Sequence, residues 1–391
     1  MVRVAVLGAG PTGLEAALAA HQRGWEVTLY EQAAHVAGHV RQWSHVRLFT
    51  PWSMNVSPRV QAVLGLPGGA ECPTGAEYAD HLDRVASLLP DVRLATTVHQ
   101  VAREGLLKSE QIGTGVRAAL PFRLLVTGPD GAERLDRADV VLDCTGTYSQ
   151  PNPTGDGGIP AVGERALGNR IMRGIPAVDA GWAGRSVLLV GAGNSAQTVA
   201  RDLVSAGALL TWAVRRSAPT WGAVEDDILP DRAALVASSR RIAAGHAPGA
   251  AVRTGVVVEA FAERGEQVAV RLRGETGATS EVLVDVVVSM TGSVGDNALY
   301  RQLQVHECYA TDGPITLAAS LLGAAGGDCL AQTSAGVDVL RNPEPRFFIL
   351  GSKSYGRTNS FLLRVGWEQV AEVFAALDTD LSYTPTLNPR R

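Results

Sequence analysis

Three glycines at positions 8, 10 and 13 and a glutamate at position 31 have the types and spacing to grip a dinucleotide. They lie in "VRVAVLGAGPTGLEAALAAHQRGWEVTLYEQ" (2–32), which reads as strand, glycine turn, helix, strand. In G-x-G-x-x-G the first glycine permits the tight turn and the second lets the backbone approach a pyrophosphate. The third lets the helix pack on the strand. Pro11 and Thr12 open that helix, whose N-terminal N–H groups and positive dipole end suit the anion. Glu31, followed by Gln32, ends the second strand. Its carboxylate can accept both hydroxyls of an unphosphorylated ribose, as in FAD or NAD.

The plan recurs in "RSVLLVGAGNSAQTVARDLVSAGALLTWAVRRS" (185–217). Gly191 and Gly193 repeat the turn, Asn194 and Ser195 open the helix, and Ala196 stands at the third glycine's place. The second strand ends in Arg215 and Arg216 where the first ended in an acid. A carboxylate there repels a 2′-phosphate, whereas guanidinium groups bind one bidentately. The expected nucleotide is NADPH.

The duplication extends to a later strand in each half. "ADVVLDCTGTYSQPN" (138–152) and "VDVVVSMTGSVGDN" (284–297) both end in glycine turns, at Thr145–Gly146 and at Gly292. Alternating runs broken by turns precede each, "FRLLVTGPDGAERL" and "VAVRLRGETGATSEVLV". Each half therefore reads as a βαβ core interrupted by a small antiparallel excursion that returns to the sheet.

An acid in one unit and arginines in the other resemble the flavoproteins with two dinucleotide-binding domains. Thioredoxin reductases, flavin-containing monooxygenases and N-hydroxylating monooxygenases belong to that group. The resemblance covers nearly the whole chain and implies an α/β fold of two Rossmann-like domains. It implies an NADPH domain (155–297) inserted into a discontinuous FAD domain (1–154 and 298–391). The closing stretch "PRFFILGSKSYGRTNSFLLRVGWEQVAEVFAAL" fits a returning strand and a helix from about Ser360 to Leu377, capped by Asn359 or Ser360. By the resemblance, Gly351, Ser360 and Phe361 approach the flavin, and the helix dipole favours its reduced anion. Thioredoxin reductases carry Gly-Asp where this chain has Gly351-Ser352-Lys353.

Composition removes other classes. A formal charge of −4 provides no basic surface for nucleic acid or anionic lipid. Cys72, Cys144, Cys308 and Cys329 form no C-x-x-C pair, which points to a reduced, cytoplasmic protein without a disulfide framework or structural zinc. Although "ALAA" near the start loosely mimics a secretory signal, "RVAVLG" has the character of a buried strand. No apolar run reaches the roughly 18 residues of a membrane span. His35, His39 and His45 lack a carboxylate at ligand spacing, so no metal is expected.

The chemistry is expected around "WSHVRLFTPWSMNVSPRV" (43–60), which the resemblance runs beneath the flavin. Phe49, Trp52 and Met54 are its ring-packing candidates, and His45, Arg47 and Asn55 its polar groups. Asn55 and Lys353, one of only two lysines in the chain, are the candidate catalytic donors. Three functions compete. The first is an NADPH-dependent FAD monooxygenase using O₂ on a small-molecule substrate. The second is an NADPH-flavin reductase or oxidase, and the third a non-catalytic dinucleotide sensor. The missing C-x-x-C disfavours a dithiol reductase, and "GTYSQPN" resembles flavin monooxygenases more closely. Yet the monooxygenase fingerprint F-x-G-x-x-x-H-x-x-x-W/Y is absent from "GERALGNRIMRGIPAVDAGWAGR", which has no histidine.

Overall fold

The computed structural model describes residues 1–323, 333–358 and 360–382. The chain forms two compact units. The first comprises Met1–Arg41, Thr50–Ser149 and the chain from Val294 onward, and the second Gln42–Phe49 and Gln150–Ser293. Gln42–Phe49, placed with the first domain on sequence, thus clusters with the second unit.

Each unit is built on a five-stranded sheet. In the first unit the order is Phe347–Ile349, Val140–Asp143, Arg3–Leu7, Glu26–Tyr30, Val92–Arg93, with every pairing parallel. In the second it is Ala250–Thr254, Leu209–Val214, Ser186–Val190, Val286–Ser289, Ile171–Met172, again parallel. The central strands are nearly continuous runs of buried Val and Leu, as strands covered on both faces require. A three-stranded antiparallel sheet interrupts each unit, at Thr97–Arg103, Phe122–Thr127 and Glu133–Ala138 in the first. In the second it is Val256–Arg264, Gln267–Gly274 and Thr279–Val284. The duplicated sequence therefore folds as a duplicated structure.

The C-terminal helix runs over Leu363–Ser382, starting later than the sequence suggests. Its first turn closes on the Leu362 carbonyl, which accepts from the N–H groups of Val365 and Gly366. Because the helix starts at Leu363, Ser360 does not adjoin its first turn, and Phe361 turns its ring edge-on to Tyr355; Asn359 lies outside the described residues, as does Cys329. One buried ionic cluster braces the first unit. Glu344 accepts from Arg103 (2.9 Å) and Arg117 (2.6 Å), which also hold the carbonyls of Leu120, Pro345, Leu107 and Glu110. Burial works to raise the Glu344 carboxyl pKa, but the two guanidiniums and the Gln304 N–H outweigh it and hold it low. Among the described residues no helix is long and apolar enough to cross a membrane.

Candidate functional site

The first glycine turn sits where Leu7 pairs with both Tyr30 and Asp143. Gly8 has φ +96°, and a Cβ there would lie 2.7 Å from the Cys144 carbonyl oxygen. A Cβ on Gly13 would lie 1.9 Å from the Gly8 oxygen. Both are glycine because the chain itself approaches. Gly10 differs: its φ is −83° and a Cβ would meet no atom within 4 Å. Neither backbone nor packing requires glycine there, and the space beside it is open to a group outside the chain. The Pro11–Gln22 helix starts at that point without a side-chain cap, leaving its first N–H groups for an anion.

Glu31 is only 8% exposed. It accepts from the N–H groups of Ala9 and Ala33, each at 2.8 Å. Each oxygen retains a lone pair for a ribose hydroxyl. Gln32 beside it is exposed. Backbone from the C-terminal part packs on the helix start, since a Cβ on Gly351 or Gly366 would lie 2.8 Å from Thr12 Oγ1. Ser360 and Phe361 are half-buried just before the C-terminal helix.

The second turn reproduces the first. Gly191 has φ +125°, and a Cβ would lie 2.2 Å from the Met290 oxygen, the counterpart of Cys144. Ala196 is fully buried at the third position, where its methyl is tolerated. Gly193, at φ −72°, again faces clear space, and the Asn194–Ser205 helix again has no side-chain cap. Gly193, Asn194 and Ser195 are exposed, as are Arg215 and Arg216 beyond the Leu209–Val214 strand. Gly292 adopts φ +81° beside Asn152, as Gly146 adopts φ +69° beside Ser352.

Both candidate catalytic donors are engaged by partners within the chain. Lys353 is 2% exposed, and its ammonium donates to Asp143 Oδ2 (2.6 Å), Thr145 Oγ1 (3.1 Å) and the Asp296 carbonyl (2.8 Å). An ammonium has three protons, so none remains for a ligand. Thr145 in turn donates its hydroxyl to Asp143 Oδ1 (2.7 Å). Lys353 ties the strand end to the returning chain. Asn55 is likewise closed: its amide donates to the carbonyls of Thr50 (2.7 Å) and Pro51 (2.9 Å) and accepts from the Thr50 hydroxyl. Trp52, expected against the flavin, packs edge-on to His81 and near Tyr78, with Gly68 against its indole. Arg47 is exposed within the segment that clusters with the second unit, where His45 meets the Pro176 carbonyl at 3.1 Å. Burial, and then the Asp143 charge, push the Cys144 thiol well above its ordinary pKa, so it is a poor nucleophile.

Residues 2–313 match the family described as pyridine nucleotide-disulphide oxidoreductase. The chain belongs to that family. Its cofactors are FAD and NAD(P)H. No curated protein matches the sequence. Among solved structures it is similar to the bacillithiol disulfide reductase of Bacillus cereus, with TM-score 0.71, 18% identity, and 97% of this chain and 99% of that chain covered. It is also similar to the thioredoxin reductase of T. acidophilum (TM-score 0.62, 16% identity, 97% and 98% covered). The cadaverine monooxygenase DfoA of Erwinia amylovora gives TM-score 0.64 at 12% identity, covering 100% and 99%. These likenesses agree on the α/β fold with two Rossmann-like halves. The residues fit the cofactors: two clear-faced glycines stand beside uncapped helix starts, a buried acid bonds to the first turn, and two exposed arginines follow the strand after the second.

Sequence reasoning overlooked Asp143, Trp212 and Gln197. Asp143 and Trp212 read as ordinary members of apolar strands and Gln197 as a helix residue, because their partners are brought near only by the fold.

Proposed function

We propose that the first unit holds FAD and the second NADPH, and that electrons pass from the flavin directly to a small-molecule acceptor. The first unit uses the Gly8–Gly13 turn and Glu31, and the second uses Gly191, Gly193, Asn194, Ser195, Arg215 and Arg216. The observation carrying this reading is the exchange of one group on an otherwise repeated frame, a buried carboxylate for an exposed arginine pair. A carboxylate selects a free ribose and an arginine pair a phosphorylated one. Bound FAD takes a hydride from the nicotinamide and passes two electrons on.

The sequence carries no C-x-x-C pair, the arrangement that a dithiol relay between flavin and acceptor uses. A quinone or other two-electron acceptor suits direct transfer. Oxygen transfer to a small molecule, as the name of the Erwinia enzyme describes for that protein, is the second reading. The closed hydrogen bonding of Asn55 and Lys353 weighs against it, because these were its candidate donors. The test reduces the flavin-loaded protein anaerobically with NADPH, then mixes it with a quinone, a low-molecular-weight disulfide or O₂. Fast reoxidation by quinone and slow reoxidation by O₂ are expected. Reoxidation by O₂ alone, with small molecules oxygenated, would establish the second reading. Flavin that NADPH fails to bleach would overturn both.

A further inference from the structure

The second turn is held from behind by two side chains that have no role in the reading so far. Trp212, fully buried in the Leu209–Val214 strand, donates its indole N–H to the Gly191 carbonyl at 2.7 Å. Gln197, 1% exposed on the Asn194–Ser205 helix, donates to the carbonyls of Ala192 (3.2 Å) and Trp221 (3.0 Å). Both amide protons are thereby used on carbonyls, which fixes the amide's orientation. Trp221, with φ +60°, sets its ring at a tilt against that of Trp212, centroids 4.7 Å apart, and closes the arrangement.

A trans peptide is planar, with its N–H opposite its C=O. Pinning the Gly191 carbonyl inward therefore turns the Ala192 N–H outward, and pinning the Ala192 carbonyl does the same for Gly193. In the first turn the equivalent Ala9 N–H is consumed by Glu31, and the Ala9 carbonyl is held by the Ala37 N–H. The second turn has no acid, and the Ala192 N–H makes no hydrogen bond among the described residues. We infer that Trp212 and Gln197 are positioning residues that aim the Ala192 and Gly193 N–H groups at the pyrophosphate of NADPH. The inference rests on the second turn being the nicotinamide site.

The test is calorimetric titration of NADP⁺ into flavin-loaded Trp212→Phe and Gln197→Met proteins. Phenylalanine keeps the ring against Trp221 and methionine keeps the volume of Gln197; the Ser239 hydroxyl, which also donates to Gln197, keeps the Leu235 carbonyl as its acceptor. The expected result is a Kd raised about tenfold in each variant, the scale of one misaimed hydrogen bond. Flavin content and the rate of flavin reduction at saturating NADPH should stay at their wild-type values. A wild-type Kd in Gln197→Met overturns the inference even if Trp212→Phe misfolds. So does a loss of saturating rate equal to the loss of affinity, which marks a general structural defect. Gly193→Val separates the two levels, since its side chain enters space clear of the chain. If that variant binds NADP⁺ normally, the site reading itself fails. If it loses NADP⁺ while Trp212→Phe and Gln197→Met keep it, only the positioning role fails.

Discussion

The two glycine turns share a frame and differ in how they are finished. In the first, Gly10 is half-buried, Ala9 N–H is committed to Glu31, and the neighbouring strand end carries the Lys353–Asp143 ion pair. In the second, Gly193 is exposed and Ala192 N–H is uncommitted. The strand end there is neutral, Ser289 and Thr291 standing where Asp143 and Thr145 stand, with their hydroxyls 3.2 Å apart. The first is braced with buried charge, and the second is a surface cradle braced by an indole and an amide. That difference suits a cofactor that stays and a cofactor that must leave after each hydride transfer.

The largest effect should come from Gly10→Val. The substituent meets nothing in the chain, so folding is retained while the pyrophosphate is kept from the backbone. Purified protein should lose its flavin absorbance by more than about tenfold relative to protein, with the circular dichroism unchanged. Flavin retained at wild-type stoichiometry would remove the distinction between the turns.

Lys353→Met tests the buried charge. It leaves Asp143 without its cation in a fully buried position, and breaking such a pair costs about 3–5 kcal/mol. Thermal unfolding should show that loss in the first unit, and Ser289→Ala in the second unit should cost less than about 1 kcal/mol. Similar losses for both would mean that the two strand ends are braced alike.

Glu31→Gln comes next. It leaves one acceptor oxygen where the Ala9 and Ala33 N–H groups used two, sets an NH2 against the other N–H, and weakens the grip on the ribose. FAD affinity should fall by about tenfold, measured by flavin release on dilution, while NADP⁺ affinity stays unchanged.

The smallest effect concerns acid. His81 is buried with both ring nitrogens unpartnered, beside a cavity of about 10 Å³ that Pro11, Leu14 and Glu15 of the first turn's helix also line. Burial, and then nearby Arg84, lower its imidazole pKa below the ordinary 6.5. A base with a depressed folded pKa contributes stability that is present above about pH 6.5 and lost as the pH falls below it. Glu15 works in the opposite sense, since burial raises its carboxyl. His81→Leu should therefore flatten the acid loss of stability below about pH 6.5, read as Tm against pH. An acid limb as steep as wild type would show that His81 is not its source.

The sequence shows most of the frame because glycine turns and buried parallel strands are local signals. Gly8, Gly13 and Gly191 are dictated by close approach of the chain, and Gly10 and Gly193 by clear space, and both needs leave the same residue type. The surroundings of the candidate catalytic donors were hidden for a different reason. Whether Asn55 and Lys353 face a ligand or the interior depends on partners such as Thr50, Asp143 and Asp296, which only the fold brings within reach. Gln42–Phe49 clusters with the second unit for the same kind of reason: His45 meets the Pro176 carbonyl, a partner 131 residues away.

Anaerobic rapid mixing of the FAD-loaded protein with NADPH or NADH tests the division of labour most directly. Wild-type protein should reach half its maximal rate of flavin bleaching at a much lower NADPH than NADH concentration. The Arg215→Ala, Arg216→Ala double variant should lose most of that preference, because each charge-assisted bond to the 2′-phosphate contributes about 1.5–3 kcal/mol. Its flavin content and its half-saturation by NADH should be unchanged. Equal use of the two nucleotides by wild-type protein, or a preference that survives the double substitution, would contradict the assignment of the second turn to NADPH.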